Sequence, residues 1–344
     1  MQFSQAEQRA MRRALELAGT PGAPLGPNPR VGCVLLDAQG AEVAEGYHRG
    51  AGTPHAEAAA LAEAGDAARG ATAVVTLEPC DHTGRTGPCA QALVDAGVAR
   101  VVFAQPDPNP VAQGGEARLR AAGIDVDFGL MEREARALNR AWTFGLEHGR
   151  PFVTWKLAAT LDGRSAAADG SSQWVTGERA RRDVHALRAQ CDAILVGTGT
   201  VERDDPHLTV RDEIGEPVAR ERQPLRVVMG TRELPSAKRV FDELAETVQL
   251  RTHDPRVVLE ELHARGRQHL FLEGGPTVAS AFVRAGLVDE VVAYVAPKLL
   301  GGGLNAVADL DVTSIGGAVD LELLDVTRFG DDVRLTLTPR KEKR

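Results

Sequence analysis

Cysteine is scarce in this chain: four residues in 344, at positions 33, 80, 89 and 191. That is too few for a disulfide framework at this length, which leaves metal binding or catalysis for any functional pair. No apolar run approaches the roughly 20 residues that a membrane span requires. The N-terminal stretch MQFSQAEQRAMRRALELAG reads as an amphipathic helix and not as a signal peptide, so a cytoplasmic protein without a membrane partner is expected. Lysine is missing from residues 1–150, where 18 Asp and Glu face 14 Arg, and the whole chain carries a formal charge of −8. Broad nucleic-acid binding leans on basic surface and is disfavoured by that balance, although local arginine clusters still suit a phosphate. Internal repeats of roughly 20 to 50 residues are also absent.

What is present fits a soluble globular protein: 43% hydrophobic and 26% charged residues. The length exceeds what one core usually serves, so two domains are expected. The first half alternates: a helix over 4–18, a strand pair in RVGCVLLDAQGAEVAEGYH, a helix after Pro54, the strand ATAVVTL, a helix from Pro88, the strand ARVVFA, a helix near 114–122 and the strand IDVDFG. That alternation predicts an α/β sheet with helices on both faces. One helix, MEREARALNRAWTFGLEHG, then ends at Gly149, and the strand pattern restarts at RPFVTWKLAATLDG. The boundary falls near residue 150, giving domains 1–148 and 149–344. The second is again α/β, with a closing antiparallel pair, DLELLDVTRFG and DVRLTLTPR, that makes its sheet mixed.

The chemistry concentrates around EPCDHTGRTGPC and the upstream GTPHAEAAAL. His55, Cys80 and Cys89 each directly follow a proline, whereas Cys33 and Cys191 do not and lie in apolar segments, as buried packing residues would. Proline favours the first helical position, which predicts that all three sit in a helix first turn, where the dipole favours a thiolate. One imidazole and two thiolates suit zinc and leave its fourth position open, as catalytic sites require. Glu57, two residues from His55, cannot share its helix face and is read as the acid and base that shuttles protons to a departing amine. With zinc-bound water supplying hydroxide, this is the H-x-E and P-C signature of the zinc deaminases. A structural site would need a fourth ligand, for which His82 is the local candidate.

The usual deaminase spacing is P-C-x-x-C, but here eight residues separate the cysteines. PHAE and TLEPCDHTGRTGPC, with GPNPRVG upstream and DPNPVAQGG downstream, resemble the bifunctional deaminase and reductase family of bacterial riboflavin biosynthesis. The resemblance continues through KLAATLDGRSA, SSQWVTG, DVHALRAQCDAILVGTGTVERDDPHLT and LEGGPTVASAF, nearly the whole chain. It implies a cytidine-deaminase-like α/β/α sandwich followed by a dihydrofolate-reductase-like mixed sheet with flanking helices, with Zn2+ and NADPH as cofactors. The implied partner is a phosphorylated pyrimidine: its exocyclic amino group is hydrolysed, then its ribosyl chain is reduced to ribityl.

Asn28 has both donors and an acceptor for a pyrimidine edge, though Asn-Pro is also turn chemistry. His48 and Arg85 match positions that contact the deaminase substrate in the family. Ser and Pro often stand there where this chain has Asp81 and Gly87. The same match implies Ala158, Trp174, Thr200, Asp204 and the run Gly275, Pro276, Thr277 for NADPH, and Ser172, Arg188, Leu208, Arg211 and Glu273 for the reductase substrate. Thr231, in VVMGTRE just after a strand, is placed at the cofactor by its position alone and not by that match. Guanidinium forks make Arg188 and Arg211 sensible phosphate ligands, whereas Arg179 and Arg181 read as a solvated helix face. Lys156 is a group that orients the sugar or a structural one. Arg232, after the strand PLRVVMG, is a cation suited to the 2′-phosphate of NADPH. Neither glycine loop is the G-x-G-x-x-G fingerprint, so no Rossmann domain is expected. The alternatives are a transfer-RNA deaminase with an accessory domain and a zinc-stabilised binding module; a homo-oligomer is compatible with all three.

Overall fold

Ser4 opens the first helix with a reciprocal capping box: its hydroxyl accepts the Glu7 N–H while the Glu7 carboxylate accepts the Ser4 N–H. The computed structural model describes residues 3–20, 27–83, 87–212 and 214–340, and the chain divides into two units, Met1–Gly149 and Arg150–Arg344.

In the first unit α1 (Gln5–Ala18) precedes the antiparallel pair β1 (Gly32–Leu36) and β2 (Glu42–Tyr47). Then come α2 (Ala56–Ala64), β3 (Thr72–Leu77), α3 (Cys89–Asp95), β4 (Arg100–Gln105), α4 (Gly115–Ala121), β5 (Asp125–Phe128), α5 (Glu132–Leu138) and α6 (Arg140–His148). The sheet order is β2-β1-β3-β4-β5, with β3, β4 and β5 parallel and β1 antiparallel to β3. Strands covered on both faces read as apolar runs. Cys33, Leu35, Val75, Val101 and Phe103 pack under α2, α3 and α4. Val34, Leu36, Val74 and Val102 pack on the other side under Met11, Ala14 and Leu17 of α1. Helix α2 closes directly onto β2 at Gly46, where a Cβ would lie 2.5 Å from the Ala56 carbonyl oxygen and 2.6 Å from the Ala60 nitrogen.

The expected single helix over MEREARALNRAWTFGLEHG is two helices, α5 and α6, broken at Asn139 (φ −102°, ψ 15°). The break has a reason. The buried Asn139 amide accepts the Arg30 N–H (2.8 Å) and donates to the Arg30 carbonyl (2.9 Å), pairing with main chain 109 residues away.

The second unit runs β6 (Phe152–Thr160), β7 (Arg164–Ala166), α7 (Glu178–Arg188), β8 (Ala193–Gly197), α8 (Thr198–Asp204), β9 (Leu225–Met229), β10 (Thr247–Leu250), α9 (Pro255–Ala264), β11 (His269–Leu272) and α10 (Pro276–Arg284). It closes with β12 (Glu290–Ala296), β13 (Leu304–Asn305), β14 (Leu321–Phe329) and β15 (Asp332–Pro339). Eight strands form a sheet in the order β10-β9-β8-β11-β6-β12-β15-β14, parallel from β10 to β12 and antiparallel in the last two pairs, hence mixed. Apolar layers cover both faces. The strands β7, β10 and β13 and the helix α9 have no counterpart in the sequence reading, and α8 occupies part of what reads as a loop. Among the described residues no helix is long and apolar enough to cross a membrane.

Candidate active sites

The three prolines do not deliver three first-turn residues. Cys89 is the first residue of α3, behind Pro88. His55 is one position earlier, the N-cap of α2. Cys80 lies in the loop after β3, and no helix starts there. It instead borrows the end of α3 from outside: its carbonyl accepts the Ala90 N–H (3.1 Å), and the Cys89 N–H points at its sulfur (3.5 Å). The Cys89 thiol donates to the Cys80 sulfur, and with His55 and that N–H it holds the Cys80 thiol well below the ordinary range.

His55 Nδ1 lies 3.6 Å from Cys80 Sγ and 3.3 Å from Cys89 Sγ. Tetrahedral zinc with its usual bond lengths would set nitrogen and sulfur about 3.5 Å apart. The donor set and its spacing fit zinc, and among the described residues no fourth His, Cys, Asp or Glu joins the group. His82 lines the cavity but stands outside it. Cys33 and Cys191 are buried elsewhere in the packing layers, as expected.

The trio opens on a cavity of about 430 Å³. Glu57, 3% exposed, faces it, and burial pushes its carboxyl up to about 7. Asn28 and His48 share the wall. His48 Nδ1 is 3.0 Å from the Pro54 carbonyl, which only accepts, so Nδ1 carries the proton and Nε2 accepts from Asn28 Nδ2 (3.0 Å). Burial holds the His48 pKa down, consistent with that neutral ring. The Asn28 carbonyl is therefore the amide end not committed to His48. Arg85 lies outside the described residues. Asp81 is paired with Arg118, so the charge it adds relative to the family's serine is neutralised locally.

Sequence reasoning missed several parts of this wall. The buried Glu78 carboxylate accepts the N–H groups of Asp107 (3.1 Å), Gly114 (3.3 Å) and Glu116 (3.1 Å), which shapes the loop DPNPVAQGG. That loop brings Asp107 and Asn109 to the cavity, with burial pushing Asp107 up to about 6. Trp142 reaches it from α6. A cluster of prolines, asparagine and glycine marks the loop in the sequence. Nothing local marks Asn139 or Trp142.

In the second unit a cavity of about 510 Å³ opens beside the C-terminal ends of β6, β8 and β11. It gathers Lys156, Ala158, Ser172, Trp174, Arg188, Thr200, Asp204, Leu208, Arg211, Glu273, Gly275 and Pro276. Thr231, Arg232 and Thr277 are not on its wall. Thr231 Oγ1 is 3.3 Å from His253, Arg232 pairs with Glu202 at 2.5 Å, and Thr277 is exposed on α10. Arg188 does not present an open fork to a phosphate. It pairs with Glu273 through both nitrogens (2.5 and 2.9 Å) and donates to the Thr209 carbonyl (3.3 Å). Burial alone would raise the Glu273 carboxyl, but Arg188 and Lys156 bring it below its usual value. Lys156 is lowered by burial. Arg181, read as solvated, is half-buried on this wall and stacks over Trp174 at 4.3 Å. His185, not anticipated, joins it, held down to about 4 by burial.

A His, Cys and Cys group spaced to suit zinc, with a buried glutamate beside it in an α/β unit, is the arrangement of the hydrolytic deaminases, here joined to a second α/β unit with its own cavity. The comparisons agree. Residues 4–105 match the cytidine and deoxycytidylate deaminase zinc-binding region, and residues 151–335 match the RibD C-terminal domain. The chain is 49% identical over 315 residues to riboflavin biosynthesis protein RibD of Mycobacterium tuberculosis, covering 91% of this chain and 92% of that protein. It is 44% identical to the Escherichia coli protein of that name, covering 95% and 98%. The solved structure of Acinetobacter baumannii RibD superposes with a TM-score of 0.88 at 39% identity, covering 98% and 99%. A Thermotoga maritima structure, titled a diaminohydroxyphosphoribosylaminopyrimidine deaminase/5-amino-6-(5-phosphoribosylamino)uracil reductase, gives 0.86 at 33%, covering 97% and 99%.

The chain belongs to the RibD family, the bifunctional deaminases and reductases of riboflavin biosynthesis. That membership sets aside both the transfer-RNA deaminase and the binding module.

Proposed function

We propose that residues 1–148 hydrolyse the exocyclic 2-amino group of 2,5-diamino-6-ribosylamino-4(3H)-pyrimidinone 5′-phosphate, and that residues 149–344 reduce the deaminated product with NADPH to 5-amino-6-ribitylamino-uracil 5′-phosphate. The observation that carries the first step is the His55, Cys80 and Cys89 trio beside the buried Glu57. Those three side chains would hold Zn2+, which when bound supplies the Lewis acidity that makes water a nucleophile at neutral pH. With its proton affinity near neutrality, Glu57 moves one proton of the attacking water to the adjacent ring nitrogen and then the remaining hydroxyl proton to the amine, so ammonia departs and the water oxygen remains as the new carbonyl. Asn28, held by His48, receives a donor on the pyrimidine, and Arg85 binds the ribose phosphate.

In the second unit NADPH supplies the hydride. Ala158, Trp174, Thr200, Asp204, Gly275 and Pro276 bind the cofactor, while Ser172, Leu208, Arg211 and the Arg188–Glu273 pair hold the substrate, with Lys156 facing the sugar. Arg211 is favoured over Arg188 as the phosphate ligand, because Arg188 is already paired. Arg211 Nη1 donates to the Gly215 carbonyl, and among the described residues no hydrogen bond engages the rest of that fork. The test is to incubate the purified protein with the diaminopyrimidinone nucleotide, with and without NADPH, and identify the products by mass spectrometry. Deaminated nucleotide alone is expected without NADPH, and the ribityl compound with it. Unchanged substrate in both incubations would overturn the reading.

A further inference from the structure

Arg226, in β9, has no exposed surface, and its guanidinium ties two loops together. Nη1 donates to the His207 carbonyl (3.1 Å) and to Asp242 Oδ1 (2.8 Å), while Nη2 donates to the Asp242 and Ala245 carbonyls (2.6 Å each). This fixes the Asp242 carboxylate with its other oxygen turned to His207, whose Nδ1 lies 2.7 Å from Oδ2. Burial would raise the Asp242 carboxyl, but Arg226 and His207 together hold it below its usual value, so the group is an ionised acceptor. The proton therefore sits on Nδ1, and in the neutral ring Nε2 is a lone-pair acceptor. Nε2 has no hydrogen-bond partner among the described residues, and the side chain, 31% exposed, stands on the wall of the second cavity.

We propose that His207 is a sugar-reading residue of the reductase: Nε2 accepts a hydrogen bond from a ribose hydroxyl, of the nucleotide substrate or of the cofactor. This rests on the reading of that cavity as the reductase site. Arg211 and Arg239 already supply donors on the same wall. What His207 adds is an acceptor, and a hydroxyl, unlike a phosphate, has a proton to give it.

The test is steady-state reduction at neutral pH, with NADPH and the deaminated nucleotide varied in turn. His207→Ala is expected to raise the KM of one of them by about 3- to 10-fold, the loss of one neutral hydrogen bond, and the ligand affected identifies the sugar. His207→Gln, whose Oε1 can reach the Nε2 position, is expected to recover most of that affinity, and His207→Lys to recover none. Two unchanged KM values would overturn the inference, and so would a lysine variant that binds as tightly as the parent, the signature of a phosphate at this position. Glu273→Gln separates the two levels of failure. If it too leaves reduction intact, the cavity itself is misassigned; if it abolishes reduction while the His207 variants change nothing, only the role of His207 falls.

Discussion

Glu57 owes its chemistry to its place: an ordinary glutamate is ionised well below neutrality, and enclosure between α2 and the sheet brings this one to about 7. A group poised there can both take and give a proton at physiological pH. Glu57→Gln keeps the volume and removes the shuttle. Ammonia release is expected to fall by about 10²- to 10⁴-fold, with zinc content unchanged by elemental analysis. A variant that still deaminates at the parental rate would remove Glu57 from the mechanism. The metal trio was legible in the sequence because few residue types bind zinc and here they lie close together along the chain. Asn139 was not, because it works by pairing with the backbone of Arg30, a contact that no local pattern records.

At the scale of elements, helix α2 carries His55 at its cap and Glu57 in its first turn, so its height above β2 sets the site. Gly46 makes that height possible, since a Cβ would press on the helix backbone at 2.5 and 2.6 Å and not on a side chain able to swing away. Gly46→Ala is expected to push α2 outward, at a cost of about 1 to 3 kcal/mol. Thermal unfolding should show a lowered Tm, with weakened zinc retention and deamination. A stable variant with full metal content would show that the helix can shift without disturbing the trio. Alternation of apolar runs was enough to place most strands and helices of both sheets. It failed at α5 and α6, where the helical pattern continues through a residue whose side chain is needed elsewhere, and at β10 and α9, whose segments the pattern left unassigned.

At the scale of the whole molecule, the two chemistries draw on separate sets of residues in separate units. Removing zinc with a chelator is expected to stop ammonia release while NADPH oxidation persists when the deaminated nucleotide is supplied directly; loss of both together would show that reduction depends on the metal. The order of domains and the chemistry of each were readable from the sequence, since their motifs are runs of neighbouring residues. The membership of the reductase wall was only partly so: Arg232 follows a strand as expected but turns to Glu202.

Asn139 and Trp142 lie beyond residue 105, where the recognised zinc-binding span stops. A fragment cut at that point would keep His55, Glu57, Cys80 and Cys89 yet discard the clamp on Arg30 and one wall of the cavity. A fragment ending at Gly149 is therefore expected to hold zinc and release ammonia where one ending at residue 105 does not, as metal content and deamination of the two would show.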